Sequence, residues 1–227
     1  MIPAAEGAES TQDSQPAFAV NPANALQMAG FTTNTQIAPP NLFKAPLFHS
    51  IDGGMTWTLK QFLPAFNGKA DETSLSFGSL NQLYAATLSD TSTSLGITRS
   101  AGFPPTSMLT LKSRPYVEAP FLTTRRINSA DRVYVGFADA SQTGDFRRLH
   151  ATIERTLNGA AATPTWQSLR VDARENCSFG LFPLNLATHA NGTTYGIFLR
   201  ERSRADGRCS TTNVIPVDVV VVRDDNG

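Results

Sequence analysis

Residues 50–57 read Ser-Ile-Asp-Gly-Gly-Met-Thr-Trp, and the whole chain is best read outward from them. Five of the eight places carry a physical requirement: Ser50, Asp52, Gly54, Thr56 and Trp57. A short carboxylate such as Asp52 accepts hydrogen bonds from backbone N–H groups of its own loop. The glycines permit the positive φ of a tight turn, and the Trp57 ring can pack beside a sheet. The stretch is a hairpin corner between two strands.

The rest of the chain supplies the strands. From Pro16 onward, short runs rich in β-branched and aromatic residues alternate with Gly, Pro, Asn, Asp and Ser clusters, and no stretch sustains helical spacing. The class is all-β. The runs fall into a recurring order of four strands, A to D, with the corner between C and D. In the first unit A is near Ala17–Val20, B near Leu26–Phe31, C is Ala45–His49 and D is Thr56–Phe62. The second has Ser74–Phe77, Leu83–Leu88, Leu95–Thr98 and Met108–Leu111. The third has Tyr116–Leu122, Arg132–Phe137, Leu149–Arg155 and Thr165–Val171. The fourth has Phe179–Leu186, Thr194–Leu199 and Val217–Val222.

The corners after each C strand keep the same register. Ser100-Ala101-Gly102 retains a serine and a glycine without the aspartate. Asn158-Gly159, followed by Thr165-Trp166, has Asn for Asp and a few inserted residues. Asp224-Asp225-Asn226-Gly227 reads as the front half of another corner, with Asp225 in the place of Asp52. Corners at 52, 101, 158 and 225 are 49, 57 and 67 residues apart, about one four-stranded unit each. The expected fold is a β-propeller of four-stranded antiparallel blades, with about four blades present and the last incomplete at its C-terminal end. A β-sandwich with ordinary hairpins is the plainer alternative. Residues 1–15, small and polar, read as a flexible lead-in, and 16–227 as the partial propeller.

The pattern Ser-x-Asp-x-Gly-x-Thr-Trp at 50–57 resembles the Asp-box, or BNR repeat, of the sialidase-like β-propellers. In that family the box staples the turn between third and fourth strands on the face away from the ligand, so the resemblance speaks for fold rather than chemistry. It implies that ligands meet the opposite face, formed by the B–C and D–A connections. Those connections bring Arg114, Tyr116, Glu118, Asp139, Arg174, Arg200 and Arg202 as candidates. Tyr116 can stack on a sugar or pack between blades, and Glu118 can point into the channel or stay hydrated.

Composition narrows the partners. With 19 basic and 19 acidic residues the chain has no electrostatic footprint for nucleic acid or an anionic membrane, and its apolar runs are strand-length. His49, His150 and His189 are far apart, which speaks against a zinc site, and no cofactor motif occurs. Nor does the acidic corner at 224–227 supply enough ligands for calcium. The first residues lack the basic and apolar regions of a secretory signal, so a leader was removed or the chain begins inside a longer protein. Cys177 and Cys209 fall on the same face in this topology, where they are either one disulfide or two small buried thiols. A bridge would fit an oxidising compartment, and the family resemblance fits use outside the cell or in its envelope.

Two function classes remain. Sialidases of this resemblance hold a substrate carboxylate with three arginines, the first in an Arg-Ile-Pro stretch ahead of the first box, and use a Tyr nucleophile with Glu and Asp. Here residues 1–49 contain no arginine and Arg-Ile-Pro occurs nowhere. The sequence therefore favours a non-catalytic module binding a glycan or protein partner, with a glycoside hydrolase completed elsewhere as the alternative.

Overall fold

A computed structural model describes residues 14–33, 45–63, 70–89, 94–141, 149–172, 184–201 and 216–225. They form strands only, with no helix among them to cross a membrane. The chain packs as two compact units, Met1–Pro115 and Tyr116–Gly227.

The first unit holds two antiparallel four-stranded sheets. Strands β1 (Ser14–Val20), β2 (Met28–Thr33), β3 (Ala45–Ser50) and β4 (Thr58–Leu63) lie side by side in chain order. The second sheet repeats this with β5 (Ala70–Phe77), β6 (Leu83–Ser89), β7 (Ser94–Ser100) and β8 (Met108–Arg114). Strand β6 is buried along its whole length, as expected of a central strand covered on both faces. A shared core of Phe31, Leu47 and Leu63 against Leu75, Phe77 and Leu83 joins the two sheets. Each such side chain contributes roughly 1.5–3 kcal/mol by leaving water.

The second unit has a four-stranded and a three-stranded sheet. The third sheet contains β9 (Val117–Ile127), β10 (Ala130–Asp139), β11 (His150–Thr156) and β12 (Gln167–Arg170). The fourth contains β13 (Asn185–Thr188), β14 (Thr194–Glu201) and β15 (Val217–Asp224). Tyr134, Ile153, Leu184, Leu186 and Phe198 make the core between them. Gly136 permits that approach, since a Cβ there would stand 2.5 Å from the Leu184 carbonyl oxygen; Gly196 makes room within the fourth sheet, where a Cβ would stand 2.9 Å from its ladder partner Val222. On its other face the fourth sheet leaves Ile197, Leu199, Val219 and Val221 exposed, and β15 is its edge strand.

The fifteen strands among the described residues overlap the runs that the repeat places, with shifts at the ends. Strand β1 begins at Ser14, inside the expected lead-in, because edge pairing of Ser14 with Thr33 uses backbone groups and needs no apolar side chain. Leu26 belongs to the turn before β2: its N–H donates to Asn24 Oδ1 (3.1 Å), and it is exposed. Thr165 is likewise held by its corner rather than by β12. The expected strand at 179–186 is described only from residue 184, as β13.

The corners follow one plan. Ser50 Oγ donates to Asp52 Oδ1 (2.7 Å) and accepts from the Gly54 N–H (2.9 Å). Asp52 accepts from the Thr56 N–H (2.9 Å) and Thr56 hydroxyl (2.5 Å), and these bonds, with the one from Ser50, hold its carboxyl down at about 2. Gly53 and Gly54 take φ of 75° and 88°, and the Gly53 N–H reaches back to the Leu26 carbonyl (3.0 Å). Trp57 Nε1 donates to the Gly54 carbonyl (3.1 Å), while its ring lies over Gly30, whose absent Cβ would be 3.3 Å away, and beside Phe18.

The third corner repeats the scheme. Thr156 Oγ1 donates to Asn158 Oδ1 (2.7 Å), which also accepts from the Thr165 N–H (3.2 Å). The Gly159 N–H reaches the Asp131 carbonyl (2.8 Å), as Gly53 reaches Leu26. Trp166 differs, because its buried Nε1 has no partner among the described residues. At the second corner Ser100 Oγ instead accepts from the Leu83 N–H (2.8 Å), and Phe103 packs edge-on against Phe77.

The fourth corner corrects the sequence reading by one residue. Ser50 pairs with Met28 and Thr156 with Val133, and the equivalent pairing is Thr194 with Asp224. Asp224 therefore holds the Ser50 place and Asp225 the Ile51 place, and Asn226 lies outside the described residues. By the same count, Gly102 rather than Ala101 is the counterpart of Asp52. Asp225 instead bonds Arg223 (Nε to Oδ1, 2.7 Å) and Thr193 (3.4 Å).

Candidate functional site

Within each sheet the alternating strands put the B–C and D–A connections at the end opposite the corners. In the second unit this end gathers residues from five strands. The residue before β9 is Tyr116, 46% exposed and with φ of 58°, a left-handed conformation that bulky residues rarely adopt. Its carbonyl accepts from the Ala140 N–H (2.8 Å), which ties the entry of β9 to the exit of β10. Three residues on, Ala119 also has positive φ (51°), where the ladder slips between Gly136 and Ala138. A bulge of this kind re-aims side chains at a strand end. Tyr116 thus stands in solvent rather than in the core, and half-buried Glu118 pairs with Ala138 just inside it.

Around this entry lie charged groups. Asp139, at the end of β10, faces Val117 on one side and His150 on the other. It accepts from the Ser141 N–H (2.8 Å), an Asx turn that starts the β10–β11 loop. His150 begins β11, and Arg170 Nη2 from β12 approaches its ring nitrogens at 2.6 and 3.0 Å. A guanidinium only donates, so the contact needs a ring nitrogen with a free lone pair. Asp172, just past β12, meets Arg200 of β14 at 3.3 Å, and both side chains are only 8% exposed. This ion pair joins the third sheet to the fourth at the loop end. Among the described residues this end carries Glu118, Asp139 and Asp172 beside Arg170 and Arg200, so it has groups that both give and accept hydrogen bonds.

The structure brings Tyr116, Glu118, Asp139 and Arg200 to one end of the second unit. Arg114 ends β8 in the first unit. Arg174 and Arg202, and Cys177 with Cys209, lie outside the described residues. His150, Arg170 and the Asp172–Arg200 pair were not foreseen as a cluster. The signal available was that a His opening a C strand and an Arg closing the next D strand share the loop end. No group of three or more His, Cys, Asp or Glu among the described residues could hold a metal ion.

No family model matches the chain, and no curated protein matches it either. Solved structures do. The α-L-arabinofuranosidase Arb93A from Fusarium graminearum, in complex with an iminosugar inhibitor, aligns over 96% of this chain and 64% of its own, with a TM-score of 0.60 and 11% identity. A glycoside hydrolase of the GH130 family that targets β-1,2-mannosidic linkages in Candida mannan aligns over 92% of this chain and 66% of its own (TM-score 0.49, 9% identity). YCF48 bound to D1 peptide covers 87% and 52% (TM-score 0.43, 11% identity). The fold is that of the β-propeller proteins: all-β, with four antiparallel sheets of three or four strands. The chain spans less than two thirds of the arabinofuranosidase it matches.

Proposed function

We propose that this chain is part of an Asp-box, sialidase-like propeller that binds a glycan at the loop end of its second unit. The observation that carries the reading is Tyr116, an exposed ring on a left-handed backbone at the entry to β9, next to the strand that ends in Asp139. Rings so placed stack on the C–H face of a sugar, while Asp, Arg and His at the rim exchange hydrogen bonds with its hydroxyls. A protein partner is the other ligand class for the same end. Tyr116→Ala is expected to weaken binding on a glycan array, and in titration of the best array ligand, by tenfold or more. Equal binding by the variant refutes the site.

A glycoside hydrolase is the second reading, favoured by the fold shared with an arabinofuranosidase. Release of fluorophore from an α-L-arabinofuranoside or a sialoside by the whole chain, abolished by Asp139→Asn, would establish it over simple binding. Action outside the cytoplasm belongs to the same proposal. The Cys177–Cys209 bridge that would fit it is tested by thiol titration of unfolded, unreduced protein, where no reactive thiol supports the bridge and two reactive thiols refute it.

A further inference from the structure

Two sheet faces of this chain are exposed although each matches, residue by residue, a face that the same chain buries elsewhere. The ladders give the match. In the first sheet Phe18 pairs with Gly30 and Val20 with Met28, and in the second Leu75 pairs with Ala85 and Phe77 with Leu83. Counted from Ser50 and Ser100 at the corners, Phe18 holds the place of Leu75, and Val20 that of Phe77. Leu75 and Phe77 belong to the core shared with the first sheet, so theirs is the side on which a preceding sheet lies. Leu75 is 7% exposed and Phe18 58%. Phe18, exposed Val20 and the half-buried ring of Trp57 therefore form an apolar receiving face that stands in water.

The fourth sheet shows the converse. In the first sheet Ala19 pairs with Ala29, and Phe31 with Leu47. Counted from Ser50 and Asp224, the same places are taken in the fourth sheet by Ala187 with Tyr195, and by Ile197 with Val221. Ala19, Phe31 and Leu47 are the side that the first sheet lays on the second. Their counterparts are bare: Leu47 is 0% exposed and Val221 63%, with Ile197, Leu199 and Val219 exposed around it.

The chain thus presents both halves of a joint that it makes internally, each half without its mate. We propose that copies of this chain associate head to tail, the fourth-sheet face of one laid on the first-sheet face of the next. The branched side chains of Ile197, Leu199, Val219 and Val221 then meet Phe18, Val20 and Trp57, and removal of both faces from water drives the contact. Three strands about 4.8 Å apart and roughly six residues long, at about 3.3 Å each, give a patch of roughly 300 Å². A standard interface takes about 800 Å² from each partner, so this association is weak, with dissociation constants in the micromolar range or above. Because the two faces differ, the contact is heterologous, and it either closes into a ring or runs on. It leaves the loop end around Tyr116 uninvolved.

Sedimentation equilibrium of the whole chain over a concentration series tests the proposal. The average mass is expected to rise above that of the monomer. Phe18→Lys spoils the receiving face and Ile197→Lys the other, and each should weaken association tenfold or more with the melting temperature little changed. Val20→Lys serves in place of Phe18→Lys if that variant fails to fold. The deciding measurement is the mixture: Phe18→Lys keeps a sound fourth-sheet face and Ile197→Lys a sound first-sheet face, so together they should form dimers that neither forms alone. Tyr116→Ala should associate as the wild type does. A monomer at every concentration overturns the proposal. So does association that Phe18→Lys leaves unchanged, which would run through the β15 rim alone, and so does a mixture that fails to associate, which would mean a contact between like faces.

Discussion

The first and third corners solve one problem with different chemistry. In both, a hydroxyl donates to a side-chain oxygen two residues on, and that oxygen then accepts from the N–H of a later threonine. The first corner uses Ser50 and the carboxylate of Asp52, four residues before its threonine; the third uses Thr156 and the amide of Asn158, seven residues before. What the corner requires, then, is an acceptor at a fixed step from a hydroxyl; charge and loop length are free. The tryptophans differ more, with Trp57 bonded to a carbonyl and Trp166 bearing a buried N–H that has no partner among the described residues.

The largest break in this comparison is Trp57→Ala. The ring covers Gly30 and touches Phe18, so its removal should cost about 2–3 kcal/mol in urea unfolding, the lower range for a half-buried aromatic. A loss under about 0.5 kcal/mol would mean that the ring does not seal the first sheet. Asp52→Ala comes next. It leaves Ser50 and Thr56 without their acceptor and should lower the melting temperature clearly, by more than the same change at Asn158, which has one bond fewer to lose. Equal effects would contradict the count of bonds.

Phenylalanine sharpens the contrast between the tryptophans. Trp57→Phe loses one hydrogen bond and should cost about 1 kcal/mol, whereas Trp166→Phe removes an unbonded N–H and should be neutral or slightly stabilising. The smallest effect is electrostatic. Asp52 titrates at about 2 when folded, below its ordinary 3.8, so its contribution is fully present above about pH 4 and is lost as pH falls through the folded value. Asp52→Asn should flatten that acid limb, and Asn158→Asp should add one. Identical acid midpoints for wild type and both variants would rule this out.

The fold was legible because its signals are local. Short strand-length runs such as Leu83–Ser89, set between turn residues, and the corner at 50–57 announce strands and their stapling without tertiary knowledge. Where reading failed, the cause was pairing. Two adjacent aspartates, Asp224 and Asp225, fit the corner equally well as text, and only the ladder opposite Thr194 separates them. Leu26 looks like a strand residue until Asn21 and Asn24 close the turn around it. The site was less legible still: 28 positions separate Asp172 from Arg200, and only the packing of β14 against the third sheet makes them neighbours. Tyr116 was readable as an aromatic at a blade entry, but its left-handed backbone was not.

The fourth sheet presents bare Val219 and Val221 beside Ile197 and Leu199, on a strand, β15, whose outer rim pairs with no neighbour among the described residues. Such a rim recruits any extended backbone that drifts alongside it, and valine-rich rims do so with the greatest persistence. Association through that one strand is therefore expected to rise with protein concentration, which sedimentation velocity on a dilution series checks.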